Sequence, residues 1–203
     1  MEILKYLVVI VFSYLLGSVS VAVVITKGIL KKDVRESGSG NAGATNVARI
    51  FGLGLGAVTL LGDLLKTAVS MLFGRFLLGD TGFILAAFAC SVGHCWPVYF
   101  KFKGGKGVAV ACAIAIMLDW RLFAILISVF IILFAVTRIV SISSIIAASG
   151  FPFVLLLLGE RSPLVLALGV YIALLILFLH RENIKRLIQH TEPKFTVSKK
   201  KDG

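Results

Sequence analysis

Charged residues are scarce in this sequence of 203 residues. They make up 15% of the chain, whereas a soluble domain carries about 25%. Hydrophobic residues make up 59%, which is enough for several stretches of the roughly 20 apolar residues that cross a bilayer. The shortage of charge argues against a soluble globular protein and predicts an all-α membrane protein with several transmembrane helices.

Cysteines and acidic residues are also few. The three cysteines are an odd number, lie within apolar segments and form no C-x-x-C pair, so neither a disulfide framework nor a zinc site is indicated. Ten acidic residues stand against 21 lysines and arginines, which gives a formal net charge of +11. In a soluble protein this charge would suggest nucleic acid. In a membrane protein it can instead set the orientation of the chain.

Apolar segments long enough to cross or nearly cross a bilayer number about seven. The first is longer than a typical signal-peptide core and no clear cleavage site follows it, so we interpret it as a retained helix. The fourth and fifth are short, so a five-helix topology with re-entrant segments stays open. The segments are roughly 3–26, 54–78, 81–100, 107–118, 122–137, 139–159 and 163–180.

The basic residues divide unevenly between the two sides that seven crossings define. One side holds the segments 27–53, 101–106 and 181–203 together with Arg138, and it carries most of the lysines and arginines. The positive-inside rule places this side in the cytoplasm. The N-terminus is then outside and the C-terminus cytoplasmic. We expect one integral-membrane domain over 1–190 and a cytoplasmic basic tail over 191–203, whose last residues are solvated or bind anionic lipid weakly.

The first cytoplasmic loop is rich in glycine and in hydrogen-bond donors. Its glycines match a dinucleotide-binding pattern, but a predicted membrane helix precedes them rather than a strand, so that match carries no weight. Glycines let backbone N–H groups converge, and a helix beginning near Ala44 would direct its positive end at an anion. The loop therefore predicts a phosphate site, with a flexible polar loop as the alternative. Its candidate residues are Ser39, Gly40, Asn41, Gly43, Thr45, Asn46 and Arg49.

The second cytoplasmic loop follows His94 and contains Gly104, Gly105 and Lys106. It does not satisfy the Walker A pattern. Its glycines around a lysine still describe a turn where backbone N–H groups and an ammonium can bind a phosphate. His94 lies at a predicted helix end, where a lone histidine is more often structural.

Four further polar positions lie within or beside apolar segments. Asp63 and Lys66 stand three residues apart on one helix face. Each would cost about 2.5–3.5 kcal/mol at the membrane centre, so we expect them to pair and to face the bundle interior, in a structural or a positioning role. His180 and Asn183 share a helix face that looks toward the bundle.

Three serines, Ser141, Ser143 and Ser144, follow Arg138 on the cytoplasmic side, and the candidate site residues among them are Ser141 and Ser144. Serines at a helix N-terminus are most often caps. Binding of a substrate is the second interpretation of this pair.

Together these loops resemble one family, the bacterial acyl-phosphate-dependent glycerol-3-phosphate acyltransferases of the PlsY type. The resemblance covers nearly the whole chain, and it is specific because four motifs occur in order. They are Ser39 to Asn46 followed by Arg49, then Gly93-His94 with Phe102 to Ala109, the serines after Arg138, and His180-Arg181 with Asn183-Ile184.

The resemblance implies a reaction and its partners. An acyl group passes from acyl phosphate to the 1-hydroxyl of glycerol 3-phosphate, giving lysophosphatidic acid and phosphate in the first step of bacterial phospholipid synthesis. It implies a seven-helix fold in the inner membrane, no metal, no cofactor, and functional coupling to the enzyme that forms acyl phosphate. Nucleic acid is not a partner, because the distribution of basic residues accounts for the net charge.

The roles that we expect under this resemblance fall into three groups. The loop from Ser39 to Thr45 holds acyl phosphate, and Asn46 or nearby backbone amides stabilise the developing oxyanion. Glycerol 3-phosphate is held by Arg49, Lys106, Ser144, His180 and Asn183, and Gly104, Gly105 and Ser141 are further substrate-binding residues. The hydroxyl proton goes to His94 or to a substrate phosphate. Without the resemblance, the residues would fit a transporter of a phosphorylated solute equally well, and a non-catalytic scaffold is a third class.

Overall fold

The computed structural model describes residues 1–197, which form helices joined by turns and contain no strand. The predicted solvated or lipid-binding end, 199–203, lies outside the described residues. The helices are α1 (Glu2–Gly17), α2 (Val21–Gly28), α3 (Ala44–Phe51), α4 (Leu53–Cys95), α5 (Val108–Leu118), α6 (Trp120–Thr137), α7 (Val140–Ser149), α8 (Phe151–Leu157), α9 (Pro163–Leu179) and α10 (Arg181–Ile188).

Helix α4 folds back on itself at Leu78 and Gly79, whose backbone angles leave the helical region. Gly79 has a φ of 61°, which glycine adopts without steric cost. The side chains of Lys66 and His94 lie 3.1 Å apart although they are 28 residues apart in sequence. In a straight helix they would be about 42 Å apart. The first arm of α4 (53–77) and its second arm (80–95) are therefore antiparallel, as the predicted boundary between segments 54–78 and 81–100 requires.

Three of the apolar segments are bent within the bundle. The axis turns by 42° between α1 and α2, by 41° between α7 and α8, and by 59° between α9 and α10. Ser20 caps the start of α2 by accepting a hydrogen bond from the backbone N–H of Val23. Pro152 lies in the first turn of α8, where a missing N–H costs nothing.

By length and composition, α4 and α6 can each cross a membrane, and the number rises to five when each bent pair counts as one span. Helix α5 has only 11 residues. These figures refer to residues 1–197. They agree with a helical membrane protein, and the predicted count of seven crossings stays a prediction.

Small residues allow the helix backbones to approach closely. A Cβ at Gly17 would collide with the backbone of Cys90, and one at Gly93 with the backbone of Tyr14. Helix α1 therefore lies directly against the second arm of α4, as small residues at membrane helix interfaces permit. Across the hairpin of α4, Gly74 and Gly82 meet in the same way. The largest apolar core lies among α5, α8 and α9, where Ile114, Phe151 and Leu168 are buried together.

The hairpin of α4 gives a first test. A Cβ at Gly82 would collide with the backbone carbonyl of Gly74, and overpacking of this kind costs about 1–3 kcal/mol. We expect Gly82→Val to lower the apparent melting temperature of the detergent-purified protein by several degrees, as monitored by tryptophan fluorescence. Gly54→Val is the matched control, because nothing lies within 4 Å of a Cβ there. Equal melting temperatures for the two variants would contradict close packing of the arms.

Candidate functional site

A cavity of about 320 Å³ lies where α3, both arms of α4, α5, α6, α7 and α10 converge. One part of its wall is polar and the remainder is apolar. The polar wall contains Ser39, Asn41, Thr45, Asn46, Arg49, Asp63, His94, Lys106, Ser141, Ser144, His180, Asn183, Arg186 and Glu192. The apolar wall includes Cys112, Ala115, Phe123, Leu126, Ile127, Phe130, Ala148 and Phe151.

The structure brings most of the sequence-predicted residues to this one cavity. Gly43 also lines it. Gly40, Gly104, Gly105 and Lys66 do not. Gly40 shapes the first loop with a φ of 69°, and the other three lie behind the cavity wall, where they support His94 and Lys106.

The side chain of Asn46 holds the first loop in shape. Its Nδ2 donates to the backbone carbonyls of Val34 at 3.1 Å, Ser37 at 3.0 Å and Asn41 at 3.1 Å, while Oδ1 accepts from the backbone N–H of Ser39 at 3.0 Å. Asn46 is 2% exposed. Because these contacts occupy both ends of the amide, Asn46 acts on the cavity through the loop that it orders.

Helix α3 begins at Ala44, as the sequence predicts. Gly43 precedes it and makes no side-chain capping bond, so the first backbone N–H groups of α3 are available for an anion. Gly43, Ala44 and Thr45 all line the cavity. Arg49 follows one turn after Thr45 and lines it too. This end of the loop therefore presents hydroxyl, backbone amide and guanidinium donors together.

The second loop lies flat on the end of α4. The backbone N–H of Gly104 donates to the carbonyl of Cys95 at 3.2 Å, and that of Gly105 donates to the carbonyl of His94 at 3.1 Å. A Cβ at Gly104 would collide with the backbone of His94, and one at Gly105 with the His94 ring. Both glycines are needed for this close approach, which directs Lys106 across the cavity to the side-chain oxygen of Asn183.

Lys106 has an unusual environment for a lysine. Burial and the nearby positive charges of Arg186 and Arg49 lower the pKa of Lys106 to about 8, against a smaller opposing effect of Glu192. The polar wall thus holds three cations, Arg49, Lys106 and Arg186, and two carboxylates, Asp63 and Glu192, of which Asp63 is paired with Lys66. Such an excess of positive charge favours an anionic ligand.

A buried cluster of charged and polar groups supports the cavity wall. Lys66 and Asp63 form an ion pair with Nζ and Oδ1 2.8 Å apart, and both side chains are 5% exposed or less. The pairing predicted from their spacing is present. Lys66 Nζ also donates to the backbone carbonyls of Gly17 at 2.9 Å and Val19 at 2.8 Å. The cluster therefore joins the break between α1 and α2 to the helix that carries His94.

Glu192 is a site residue that sequence reasoning missed. Its Oε1 accepts from Ser141 Oγ at 2.7 Å and from Asn183 Nδ2 at 2.6 Å, and its Oε2 accepts from Arg186 Nε at 2.7 Å. Burial by itself would raise the pKa of Glu192, but these hydrogen bonds lower it on balance. The sequence signal is that Glu192 is one of only two acids, with Asp202, in the otherwise basic tail 191–203.

The serines of α7 do not cap the helix, contrary to one interpretation of the sequence. The N-cap position is Ile139, and it makes no side-chain capping bond. Ser141 instead binds Glu192, and Ser144 is buried and lines the cavity. The carboxylate is the stronger acceptor for the Ser141 hydroxyl, which is why the residue faces inward.

His180 and Asn183 lie on one face, as predicted. The chain bends at His180, where α9 ends and α10 begins. His180 Nδ1 lies 2.8 Å from the backbone carbonyl of Ile176. Asn183 bridges Lys106 and Glu192. Both residues are buried, so their polar atoms serve the cavity rather than solvent. A cationic end beside an apolar wall suits a ligand that combines an anion with a hydrocarbon chain.

Comparison with known proteins points in the same direction. The family model described as glycerol-3-phosphate acyltransferase matches residues 7–190. A glycerol-3-phosphate acyltransferase of Syntrophotalea carbinolica is 41% identical over 193 residues, which cover 94% of this chain and 98% of the relative. One of Desulforudis audaxviator is 40% identical over 200 residues, which cover 98% of this chain and 100% of the relative.

Solved structures agree with these relatives. This chain is similar to a crystal structure of PlsY, an integral membrane glycerol 3-phosphate acyltransferase, in its glycerol 3-phosphate form. The TM-score is 0.88 at 35% identity, with 94% of this chain and 96% of that chain covered. The lysophosphatidic acid form of PlsY gives a TM-score of 0.85 at the same identity.

The pKa of Lys106 gives a second test. Since the pKa is lowered to about 8, the positive charge is present below pH 8 and is lost above it. We expect the affinity of the purified protein for inorganic phosphate to fall above pH 8, by up to about tenfold per pH unit, when measured by isothermal titration calorimetry. Lys106→Arg is the control, because its charge persists and the fall above pH 8 should disappear. Constant affinity of the native protein from pH 7.5 to 9.5 would contradict a role for this ammonium.

Proposed function

Because the chain belongs to the glycerol-3-phosphate acyltransferase family, we propose that it transfers an acyl group from acyl phosphate to the 1-hydroxyl of glycerol 3-phosphate. Membership makes the chain a membrane-embedded acyltransferase of the PlsY type, and the resemblance seen in the sequence is confirmed. The observation that carries the proposed donor is the cavity itself, since its cationic end meets an apolar wall. Acyl phosphate has the same two parts.

The reaction needs no covalent intermediate on the protein. The hydroxyl oxygen of glycerol 3-phosphate forms a bond to the acyl carbon, and the bond from that carbon to the phosphate oxygen breaks. The electron pair of the broken bond leaves with inorganic phosphate, and the hydroxyl proton passes to a nearby acceptor. Phosphate is already a competent leaving group. Positioning and charge stabilisation can therefore supply most of the rate enhancement.

We assign the acyl phosphate to the first loop. The hydroxyls of Ser39 and Thr45, the amide of Asn41 and the backbone at Gly43 form one part of the polar wall, and Gly40 shapes the loop that carries them. The first N–H groups of α3 are suited to the charge that develops on the carbonyl oxygen during attack. Asn46 supports this arrangement by ordering the loop.

We assign glycerol 3-phosphate to the opposite part of the polar wall. Arg49 and Lys106 supply positive charge for its phosphate, and Gly104 and Gly105 hold Lys106 in place. The remaining donors and acceptors are Ser141, Ser144, His180 and Asn183, which come from the last two motifs. Glu192 orients Ser141 and Asn183 by accepting hydrogen bonds from both.

Two acceptors are available for the hydroxyl proton. One is His94, which lines the cavity. The other is a phosphate oxygen of a substrate. Asp63 and Lys66 contact His94 from behind, so we propose a positioning role for them.

We propose the bacterial inner membrane as the location, with seven crossings, the N-terminus outside and the cavity near the cytoplasmic face. Residues 1–190 then form one domain and 191–203 its tail. The uneven distribution of basic residues supports the orientation. We also propose functional coupling to the enzyme that forms acyl phosphate, which would deliver this lipid-like donor at the membrane surface. No cofactor is required by this chemistry.

The donor is tested by a phosphate-release assay. Purified protein in nanodiscs should release inorganic phosphate from palmitoyl phosphate only when glycerol 3-phosphate is present, with lysophosphatidic acid formed in equal amount. Acyl-CoA in place of palmitoyl phosphate should give no product. Product from acyl-CoA alone would contradict the proposed donor. Uptake of glycerol 3-phosphate into sealed vesicles without lysophosphatidic acid would indicate transport.

The acyl chain is tested at Cys112. This side chain is half-buried and lines the apolar wall. We expect Cys112→Phe to reduce activity with palmitoyl phosphate by at least about tenfold relative to octanoyl phosphate, because a large ring shortens the space for the chain. Ala57→Phe is the matched control on an exposed face of α4. An unchanged preference in Cys112→Phe would place the acyl chain elsewhere.

A further inference from the structure

Asp33 and Arg35 lie in the first loop, and neither lines the cavity. They flank a single 3₁₀ turn (Val34–Glu36), which Asp33 caps by accepting a hydrogen bond from the backbone N–H of Arg35 at 3.0 Å. The side chains of Asp33 and Arg35 are only 6% and 18% exposed. A charged pair that is largely removed from water is costly unless further hydrogen bonds satisfy it, so the partners of this pair indicate its role.

Asp33 holds the guanidinium of Arg35 in one orientation. Arg35 Nε lies 3.0 Å from Asp33 Oδ1 and Nη2 lies 2.8 Å from Oδ2, so two parallel hydrogen bonds join the groups. Lys27 Nζ pairs with the same carboxylate at 3.0 Å. The hydrogen bonds from Arg35 hold the pKa of Asp33 well below its usual range, so the carboxylate stays charged at neutral pH. The remaining nitrogen of Arg35, Nη1, is free to bind elsewhere.

Nη1 of Arg35 reaches the second loop. It donates to the backbone carbonyl of Phe100 at 2.9 Å and approaches that of Lys103 at 3.5 Å. These two carbonyls flank Lys101 and Phe102, which both have a φ of 58°. Residues with a side chain rarely adopt this left-handed conformation, and it persists where the surrounding structure imposes it. Arg35 supplies a contact at each end of this turn.

The turn at residues 100–103 leads directly to the lysine of the cavity. The backbone N–H groups of Gly104 and Gly105 bind the end of α4, and Lys106 follows them. Among residues 1–197, the hydrogen bonds that join the first loop to the second all come from Arg35. The segment that carries Lys106 is therefore held from the other loop.

The first loop does not depend on this link for its own shape. Asn46 holds it through four hydrogen bonds to backbone groups, and one of these is accepted by the carbonyl of Val34, beside Arg35. Arg35 is thus anchored on an ordered support, and the second loop is the part that it holds. Loss of the guanidinium should loosen the second loop and leave the first in place.

We propose that Arg35 is a positioning residue that fixes the second loop to the first, so that Lys106 lies at a set distance from the loop that holds acyl phosphate. This inference rests on the proposed function. It assigns Arg35 a role that acts through Lys106, without contact to either substrate. Binding of glycerol 3-phosphate should therefore depend on Arg35 more strongly than binding of acyl phosphate.

Hydrogen exchange measured by mass spectrometry tests the link without a substrate. For protein in nanodiscs, we expect the amides of residues 100–106 to exchange at least about tenfold faster in Arg35→Ala, the usual effect of losing a charged hydrogen-bond donor. Residues 37–48 should exchange at the native rate. The variant should fold, because Asp33 keeps Lys27 and a backbone N–H as partners.

Lys32→Ala is the matched control for the exchange experiment, since it removes one positive charge from the same loop at an exposed side chain. It should leave exchange at the native rate in both segments. Native exchange over 100–106 in Arg35→Ala would overturn the inference. Equal acceleration over 37–48 would also overturn it, because the first loop would then depend on Arg35 as much as the second.

Steady-state kinetics test the consequence for the substrates. We expect Arg35→Ala to raise the KM for glycerol 3-phosphate at least about tenfold and to change the KM for palmitoyl phosphate less than about threefold. Arg35→Lys keeps the charge but should show the same pattern, because a single ammonium nitrogen cannot bind Asp33 and the second loop at once. Lys32→Ala should keep both native values.

An equal rise in both KM values, or a lower kcat with both KM values native, would contradict the positioning role. If the native enzyme released no phosphate in response to glycerol 3-phosphate, the proposed function would fail, and the exchange experiment would still decide whether Arg35 holds the second loop.

A double-mutant cycle tests the part played by Asp33. We expect Asp33→Asn to raise the KM for glycerol 3-phosphate as well, because the guanidinium loses its orienting partner. The double variant Asp33→Asn/Arg35→Ala should be no worse than Arg35→Ala, since both substitutions break the same link. Additive effects would contradict the orientation of Arg35 by Asp33.

Discussion

The ammonium group of Lys66 is the point on which the site depends. It neutralises Asp63, binds two free carbonyls where α1 breaks before α2, and contacts His94 on the other arm of α4. A lysine in such a position is costly unless every hydrogen finds an acceptor. Here each hydrogen has one, so the break in α1 and the charge of Lys66 stabilise each other. Removing either would leave buried polar groups unpaired.

Backbone hydrogen bonds connect the Lys66 cluster to the second loop and to the rest of the site. His94 and Cys95 accept hydrogen bonds from Gly105 and Gly104, which places Lys106 beside Asn183. Asn183 binds Glu192, and Glu192 in turn orients Ser141 and Arg186. The tail segment adds a backbone bond from Phe195 to Arg138. Residues from both ends of the chain are thus held by one connected set of hydrogen bonds.

The sequence predicted those parts of the site that depend on interactions between residues close together in the chain. Glycines beside Lys106, the start of α3 and the spacing of Asp63 and Lys66 all carry their meaning within a few residues. The partners of Lys66 could not be predicted, because two of them are backbone carbonyls that any sequence provides. Glu192 was missed since its partners lie on α7 and α10. The bend after α1 has only a weak signal, because Ser18 and Ser20 interrupt the apolar segment briefly and do not end it. The partners of Asn46 are backbone groups of its own loop, so their arrangement could not be predicted either.

The shortness of α5 has a consequence for the lipid around the protein. Its 11 residues extend about 16 Å, roughly half of the 30 Å hydrocarbon thickness of a bilayer. Under the proposed seven-crossing topology, the lipid beside α5 would thin, or water would reach below the headgroups. An amphiphile could then bring its phosphate to Lys106 without leaving its leaflet. Bilayer thickness would then be a variable of the proposed reaction, and a membrane of longer lipids would raise the cost of exposing the cavity.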